Sequence, residues 1–270
     1  MKQKRRIEFS KDDLKLFRYL HFFRAARIDQ IRRDLFPQIS VNTTYWRLKR
    51  LEKHDYLQGK YSRFHGNKKV LGITTKTFKE FLANGDEKRI EVNSKSVDHD
   101  LDLVDICRMI YSSQRIEQYI SENELQTWQT YEENKNLKPA LALNSDAVIK
   151  VTFDNGSFWL PLEYESNTKS SSRYRDLLYQ LYNQLGLVAV LYVCKDKKVQ
   201  NAIKKIEEKF HGKERPMIYY KLLDELKQSE GLIFTARNGK MINIGDKSDK
   251  EITSTIAPQL CGALYLPETT

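Results

Sequence analysis

The stretch DAVIKVTFDNGSFWLPLEYE, residues 146–165, decides the fold of the second half of the chain. Asn155-Gly156 stands between two runs in which apolar and polar residues alternate. Asn-Gly is the strongest short signal for a two-residue hairpin turn, because both central residues of that turn need a positive φ. The sequence therefore predicts two antiparallel strands joined at Asn155-Gly156, with Asp154 facing Ser157.

The predicted hairpin has one acidic face and one apolar face. Its register puts Asp146 opposite Glu165 and Val148 opposite Glu163, and strand alternation then places the three carboxylates on the same side. Unpaired carboxylates repel and raise each other's pKa, so this face is either a divalent-metal site or a costly charged surface. The opposite face is expected to be core and comprises Ala147, Ile149, Val151, Phe153, Phe158, Leu160, Leu162 and Tyr164.

Length and composition are those of a globular protein with room for two domains. The chain has 270 residues, of which 40% are hydrophobic and 11% aromatic. Its three cysteines are far apart and form no CxxC pair, which argues against a disulfide framework or a zinc site. No apolar run approaches the roughly 20 residues needed to cross a bilayer. We therefore expect a cytoplasmic protein with no membrane partner.

The positive charge of the chain is concentrated near its N-terminus. Residues 1–80 contain 21 Lys and Arg against 8 Asp and Glu, a net charge of +13, whereas the whole chain carries +10. The remaining residues therefore carry −3. A local excess of this size fits a polyanion, and duplex DNA fits better than a membrane because the sequence contains no basic amphipathic helix with an aromatic face. The alternative is a solubilising surface.

The first 55 residues predict three short helices. Ser10 is a candidate cap for the first, Phe36-Pro37 ends the second, and Ser40 is a candidate cap for the third. The predicted inward positions of the third helix are Val41, Thr44 or Tyr45, Leu48 and Leu51. Three helices with a tight connection before the third are typical of a helix-turn-helix, whose last helix enters the major groove.

The outward side chains of the third helix suit DNA. Those near its N-terminal half can contact base edges, and those further along can contact phosphates. A hairpin with a basic tip, Phe64 to Lys68, follows and is interpreted as a wing. The DNA-binding residues predicted from the helix and the wing are Asn42, Thr43, Trp46, Arg47, Lys49, Arg50, Lys53, Lys68 and Lys69.

This segment resembles the winged-helix domains of bacterial DNA-binding proteins. The resemblance is carried by an Arg-Leu-x-x-Leu-x-x-x-x-Tyr-Leu run from Arg47 to Leu57. It implies a fold and a ligand class but no target sequence, and residues 1–82 alone are expected to bind duplex DNA. A helical bundle that binds protein is the alternative.

A second domain is predicted after a linker. We assign residues 1–83 to the first domain, 84–96 to the linker and 97–270 to the second. The second begins with a helix from Ser96, then a strand at Leu125–Tyr131, the hairpin, a helix after Ser171 and a buried strand at Leu187–Val193. Helices at Val199–Phe210 and Tyr219–Lys227 and strands at Leu232–Thr235 and Met241–Ile244 follow.

The second domain resembles the restriction-endonuclease-like PD-(D/E)xK superfamily. The resemblance is carried by the order of helix, three strands, helix and strand, and by the acids in Asp146 and Glu163-Tyr164-Glu165. The whole chain resembles the replication-relaxation family of plasmids and other mobile elements. That resemblance is carried by His99-Asp100-Leu101, Asp146-Ala147, the hairpin and Leu162 to Glu165. The expected fold class is mixed α/β (α+β): an N-terminal winged helix-turn-helix, then a three-layer α/β endonuclease-like domain.

The superfamily resemblance implies metal chemistry at the acidic face. The predicted metal ligands are the three acids of the hairpin face, Asp146, Glu163 and Glu165. Asp146 and Glu163 match the two acids that hold Mg²⁺ or Mn²⁺ in the superfamily, in which a lysine two residues after the second acid normally assists the attacking water. Glu165 occupies that lysine position, which is a departure from the pattern. Lys150 and Lys169 are the two candidate substitutes. Retention of the fold for binding alone, with a vestigial acid cluster and no cofactor, is the alternative.

The family resemblance implies a DNA-binding protein of a plasmid or mobile element that acts in replication, DNA relaxation or mobilisation. Its partners would be double-stranded DNA and a relaxase or replication protein, and a homodimer is left open. Two other functions remain: an active Mg²⁺-dependent endonuclease, and a transcriptional regulator or antitoxin whose second domain binds a protein. A neighbouring relaxase gene would favour the first function and a toxin gene the regulator.

Overall fold

The computed structural model describes residues 7–62, 66, 68–183, 186–210, 217–228 and 231–245. These residues form two compact units. The first unit contains the described residues up to Asp105, and the second begins at Ile106. The predicted linker, residues 84–96, falls inside the first unit.

The first unit combines short helices with a small antiparallel sheet. Its strands lie in the order β1-β3-β2, and β2 and β3 form a hairpin. Its elements are α1 (Lys11–Phe23), β1 (Ala26–Arg27), α2 (Ile28–Leu35), α3 (Val41–Lys53), β2 (Leu57–Ser62), β3 (Lys68–Ile73) and α4 (Thr75–Phe81). Residues 64, 65 and 67 of the predicted basic tip lie outside the described residues.

Side-chain caps start the helices where the sequence predicts them. The Ser10 hydroxyl accepts a hydrogen bond from the amide of Asp13, whose carboxylate accepts one from the Ser10 amide, which completes a capping box for α1. Ser40 caps α3 by accepting from the Thr43 amide. The predictions that Ser10 and Ser40 begin these helices are therefore confirmed.

One predicted inward position of α3, Val41, is wrong, and of the two alternatives Thr44 and Tyr45 it is Thr44 that lies inward. Thr44 is 1% exposed and packs inward with Leu48 and Leu51, whereas Val41 and Tyr45 are 57% and 42% exposed. The Thr44 hydroxyl donates a hydrogen bond to the Ser40 carbonyl, so the smaller, polar side chain is satisfied in the buried position. Tyr45 consequently lies on the outer face of the helix.

The N-terminal half of the next helix, α5 (Val97–Tyr111), completes the first unit. Leu101 packs in a buried cluster with Ala25 and Val70. The Gln30 side-chain amide, itself buried, donates a 2.9 Å hydrogen bond to the Leu101 carbonyl oxygen. Residues 97–105 thus contribute to the core of the first unit although they follow the predicted linker.

The second unit is built on a seven-stranded mixed sheet with strand order β10-β9-β8-β7-β6-β5-β4. β4, β5 and β6 are antiparallel, β7 runs parallel to β6 and to β8, and β9 and β10 are antiparallel. The strands are β4 (Ile116–Ser121), β5 (Ala147–Phe153), β6 (Gly156–Glu165), β7 (Ala189–Cys194), β8 (Met217–Leu222), β9 (Ile233–Ala236) and β10 (Met241–Asn243). The chain is therefore mixed α/β, as expected.

Helices connect these strands. They are α6 (Glu122–Thr127), α7 (Thr130–Glu133), α8 (Lys138–Leu143), α9 (Ser171–Tyr182), α10 (Lys197–Glu207) and α11 (Leu223–Gln228). Buried side chains of α9 and α10 form one apolar core with Tyr192 of β7 and Tyr220 of β8. Leu125 of α6 and Ala140 of α8 pack with Val148 of β5. The helices are thus packed against the sheet through two separate apolar clusters, one on β7 and β8 and one on β5.

Two predicted elements of the second unit are wrong. Leu125–Tyr131 is not a strand; α6 and α7 occupy this region and the strand before the hairpin is β4, which lies upstream. The Ser121 hydroxyl caps α6 by accepting from the Glu124 amide, so a local cap outweighs the alternating pattern. The predicted helix Tyr219–Lys227 begins only at Leu223, because Tyr219 to Leu222 pair with β7.

The hairpin register differs from the prediction by two residues. Phe153 faces Gly156, so Asp154 and Asn155 are the central turn residues, and Gly156, with φ of 130°, begins β6. Pairing then runs to Ala147 opposite Leu162. The predicted turn centre Asn155-Gly156 is therefore wrong. So are the predicted pairs Asp154 with Ser157, Asp146 with Glu165 and Val148 with Glu163, since Val148 faces Pro161. Because side chains alternate with a period of two, a shift of two residues leaves every side chain on its predicted face.

Candidate functional site

The acidic residues meet where β5 begins and β6 ends. Asp146 directly precedes β5, and continuing the register by one residue from Ala147 and Leu162 places it beside Glu163. Oδ2 of Asp146 accepts a 2.7 Å hydrogen bond from the amide nitrogen of Tyr164. This bond holds the Asp146 carboxylate against the end of β6. Its donor, Tyr164, lies between Glu163 and Glu165 in the sequence.

The pKa of Glu163 is raised by burial of its side chain and by the neighbouring acids. Burial, and then the charge of Asp146, raise the pKa of Glu163 well above its ordinary value of 4.5, while Ser145 and Lys169 act in the opposite direction. The Ser145 hydroxyl is buried and has no hydrogen bond of regular geometry, yet it lies close enough to Glu163 to favour the ionised carboxylate. Asp146, Glu163 and Ser145 therefore form one interacting group.

Lys169 joins this group through Glu165. Its ammonium nitrogen lies 2.6 Å from Oε2 of Glu165, whose side chain is only 8% exposed. The backbone amide of Lys169 donates to the Tyr174 hydroxyl, which in turn donates to the Asn167 carbonyl oxygen. Tyr174 thus anchors the loop that carries Lys169 to the first turn of α9.

Lys150 is directed elsewhere. Its ammonium nitrogen pairs at 2.5 Å with Glu117 of β4, and this ion pair lowers the pKa of Glu117 to about 2. Of the two candidate lysines, Lys169 is the one whose charge acts on Glu163. The structure therefore brings together Asp146, Glu163, Glu165 and Lys169 from the predicted catalytic set and separates Lys150 from it.

The acids of the cluster are not equivalent. Within the described ranges, no group of three or more His, Cys, Asp or Glu side chains is arranged to hold a metal ion. Glu165 is engaged by Lys169, whereas Asp146 and Glu163 oppose each other electrostatically. Mg²⁺ is often held by one or two carboxylates with water completing its octahedron. The predicted ligand set Asp146, Glu163 and Glu165 stays a prediction.

Sequence reasoning missed two residues of this site. Ser145 could have been found from its position directly before Asp146, which is a polar residue entering a buried strand. Tyr192 lies opposite Glu163 in the parallel pair of β6 and β7, and burial, followed by Glu163 and Glu165, raises its pKa well above 10.0. Only the strand pairing reveals that neighbour.

The outer face of α3 is the second candidate site. Asn42, Thr43, Trp46, Lys49, Arg50 and Lys53 are exposed, as predicted. Within the part of the chain that the structure describes, no carboxylate forms an ion pair with Lys49 or Lys53. Lys68 at the start of β3 is 61% exposed, while Lys69 is 23% exposed and pairs with Glu52.

Arg47 differs from the other predicted DNA-binding residues of α3. Its side chain is 20% exposed, and its guanidinium lies 3.2 Å from Asp13 and 3.3 Å from Asp12. It also donates a 2.8 Å hydrogen bond to the Ser10 hydroxyl and lies over the Phe36 ring. Arg47 therefore connects α3 to the start of α1.

Comparisons with protein-family models, with curated proteins and with solved structures found no match to this chain. Among the described helices, none has both the length and the apolar character needed to span a bilayer.

Proposed function

We propose that this chain is a sequence-specific DNA-binding protein of a plasmid or other mobile element, acting in replication, DNA relaxation or mobilisation. In this proposal the first unit is a winged helix-turn-helix. The observation that carries the proposal is the exposed basic face of α3, which presents Lys49, Arg50 and Lys53 beside polar Asn42 and Thr43.

The arrangement around α3 supports this function. α2 and α3 are joined by residues 36–40, and the hairpin of β2 and β3 follows α3 directly. In helix-turn-helix proteins the second helix of the motif lies in the major groove and contacts bases with its N-terminal residues. Asn42 and Thr43 occupy that end of α3, and Lys68 belongs to the hairpin that would serve as the wing. The net charge of +13 on residues 1–80 supplies the attraction to phosphate.

Binding to duplex DNA can be tested with the full chain. We expect fluorescence anisotropy to show binding to a pool of randomised duplexes of roughly 20 base pairs, with an affinity that falls steeply as salt rises. Lys68→Ala should weaken binding to all sequences alike and reduce the salt slope by about 0.9. Lys205→Ala, an exposed substitution on α10, is the matched control. Absence of any salt-sensitive binding would contradict the proposal.

A second candidate function is a Mg²⁺-dependent endonuclease, and the grouping of Asp146, Glu163, Glu165 and Lys169 favours it. Helices α6, α7 and α8 separate β4 from β5, but the order is otherwise α5, β4, β5, β6, α9 and β7, with β7 parallel to β6. Apart from these inserted helices, it is the order that the endonuclease-like resemblance predicts. In this function Asp146 and Glu163 would hold the cation, and Lys169 would orient or deprotonate the attacking water. Glu165 would position the Lys169 ammonium group. The cation would supply positive charge to a phosphate.

Cleavage of supercoiled plasmid with Mg²⁺ or Mn²⁺ tests this second function. We expect nicked or linear product from the wild type and none from Asp146→Asn, which keeps an acceptor for the Tyr164 amide. Asp154→Asn, in the exposed hairpin turn, should cleave like the wild type. Wild-type protein that binds the plasmid without cleaving it would leave DNA binding as the function and make the acid cluster vestigial.

A further inference from the structure

The outer face of α3 is unusual because aromatic rings lie among its basic side chains. Trp46 is 62% exposed and Tyr45 42% exposed, and their ring centroids are 5.8 Å apart in an edge-to-face arrangement. The Lys49 ammonium group lies 4.9 Å from the centre of the Trp46 ring. Exposed apolar side chains that lie together, unlike single ones, are typical of a contact surface.

Helical geometry places Trp46 in the middle of the exposed face. With 3.6 residues per turn, Asn42, Trp46, Lys49 and Lys53 fall within a sector of roughly 60°. The buried Thr44, Leu48 and Leu51 occupy the opposite side of the helix. Any partner that lies along α3 must therefore contact Asn42 and Trp46 together with the two lysines.

The charges on this face select a polyanion as that partner. Lys49, Arg50 and Lys53 are exposed, and the one acidic residue of α3, Glu52, is paired with Lys69. An apolar protein partner would have to desolvate these cations without compensation. DNA instead offers phosphates to the lysines and base edges to the centre of the helix.

The arginines that could recognise guanine are engaged within the protein. A bidentate arginine is the usual partner of guanine in the major groove. Arg47 lies 3.2 Å from Asp13, and Arg50 lies 3.3 Å from the other carboxylate oxygen of Asp13. Asn42 has the side chain that pairs bidentately with adenine, and exposed apolar groups contact the thymine methyl group.

We propose that α3 recognises A·T base pairs in the major groove, with Asn42 hydrogen-bonded to an adenine edge and Trp46 and Tyr45 packed against thymine 5-methyl groups. This inference rests on the proposed binding of duplex DNA. It goes further by assigning the base-pair class and by giving the contact with bases to an asparagine and two aromatic side chains.

Selection of duplexes from a randomised pool by the full chain, followed by thymine-to-uracil replacement, tests the proposal. We expect the selected site to be rich in A·T pairs under the protein. Replacing thymine by uracil removes only the methyl group and should weaken binding about fourfold for each methyl that Trp46 or Tyr45 buries. Replacing adenine by 7-deaza-adenine should weaken binding through the loss of one acceptor.

Variants assign these penalties to side chains. The uracil penalty should shrink in Trp46→Ala, and the deaza-adenine penalty should shrink in Asn42→Ala. Tyr179→Ala, at a 60% exposed aromatic position of α9, is the control and should keep both penalties. A selected site dominated by G·C pairs, or equal binding of thymine and uracil duplexes, would overturn the inference while leaving DNA binding intact. If the wild type bound no duplex and instead associated with itself through Trp46, so that Trp46→Ala abolished this self-association, both the A·T inference and the proposed DNA binding would be overturned.

Discussion

Lys169 and Glu165 form an ion pair between residues four positions apart, with 2.6 Å between the ammonium nitrogen and Oε2. Glu165 occupies the position at which the endonuclease-like pattern has a lysine. Through this ion pair, Lys169 in the loop before α9 brings a positive charge to the acid cluster. Because the Glu165 side chain is almost fully buried, its carboxylate depends on Lys169 for compensation.

Removing Lys169 should destabilise the second unit. We expect Lys169→Met to lower the free energy of unfolding by about 2–3 kcal/mol, since it leaves a buried carboxylate without its cation. Lys150→Met, which breaks the exposed pair with Glu117, should cost much less. Urea denaturation of both variants provides the measurement. Equal losses would show that Glu165 is stabilised by something other than Lys169.

The stability of the wild type should fall as pH rises above 4.5. Glu163 has a raised pKa in the folded protein, so the folded state holds a proton that the unfolded state has lost. Each pH unit between the unfolded and folded pKa values then costs up to about 1.4 kcal/mol. Glu163→Gln should remove this dependence, so the free energy of unfolding of the variant relative to the wild type should increase as pH rises above 4.5.

Glu117→Gln is the control for this pH series. The pKa of Glu117 is lowered to about 2, so it is ionised in both states above its ordinary value and contributes no pH dependence there. Parallel wild-type and Glu163→Gln stability profiles would contradict the predicted protonation of Glu163.

Divalent cations should stabilise the folded protein through Asp146 and Glu163. Mn²⁺ at a hundred times its dissociation constant would add about 2.7 kcal/mol to the free energy of unfolding, visible as a rise in melting temperature of several degrees. We expect a much smaller rise for Asp146→Asn and a wild-type rise for Asp154→Asn. Calorimetric titration that detects no millimolar or tighter Mn²⁺ binding to the wild type would exclude the endonuclease function.

Replacing Arg47 should lower the free energy of unfolding, in addition to any effect on DNA binding. Its contacts with Ser10, Asp12 and Asp13 lead us to expect a loss of about 1–2 kcal/mol in Arg47→Ala, against less than about 0.5 kcal/mol for the exposed Lys49→Ala. From the sequence alone, Arg47→Ala is predicted to cost about 1–3 kcal/mol of discrimination between DNA sites if Arg47 contacts a guanine. Unchanged stability combined with lost guanine preference would favour base contact by Arg47.

The sequence predicted those features that depend on local chemistry. Ser10 and Ser40 were identified as caps because a hydroxyl before an amphipathic run satisfies the first helical amides. The common face of Asp146, Glu163 and Glu165 was predicted correctly despite a wrong register, because the error was an even number of residues. Features that depend on long-range pairing were missed: β8 was assigned to a helix because its parallel partner β7 is distant in sequence.

The choice between Lys150 and Lys169 shows the same limit. Both lysines follow an acid of the cluster at a plausible distance along the chain. Only the pairing of β4 with β5, which brings Glu117 to Lys150, decides between them. The prediction of β4 itself failed, so that ion pair was not foreseeable.

The boundary between the units inside α5 restricts how this protein can be divided. A chain that ended within residues 84–96 would lack Leu101, which would leave a cavity beside Ala25 and Val70. The buried Gln30 side-chain amide would also lose its hydrogen-bond acceptor, the Leu101 carbonyl oxygen. An N-terminal fragment ending at residue 82 should therefore fold less stably than one that extends through Asp105. Gene fusions that carry the N-terminal unit should therefore have their junction after residues 97–105 of α5. Recombination within residues 84–96 should yield chimaeras that fold poorly.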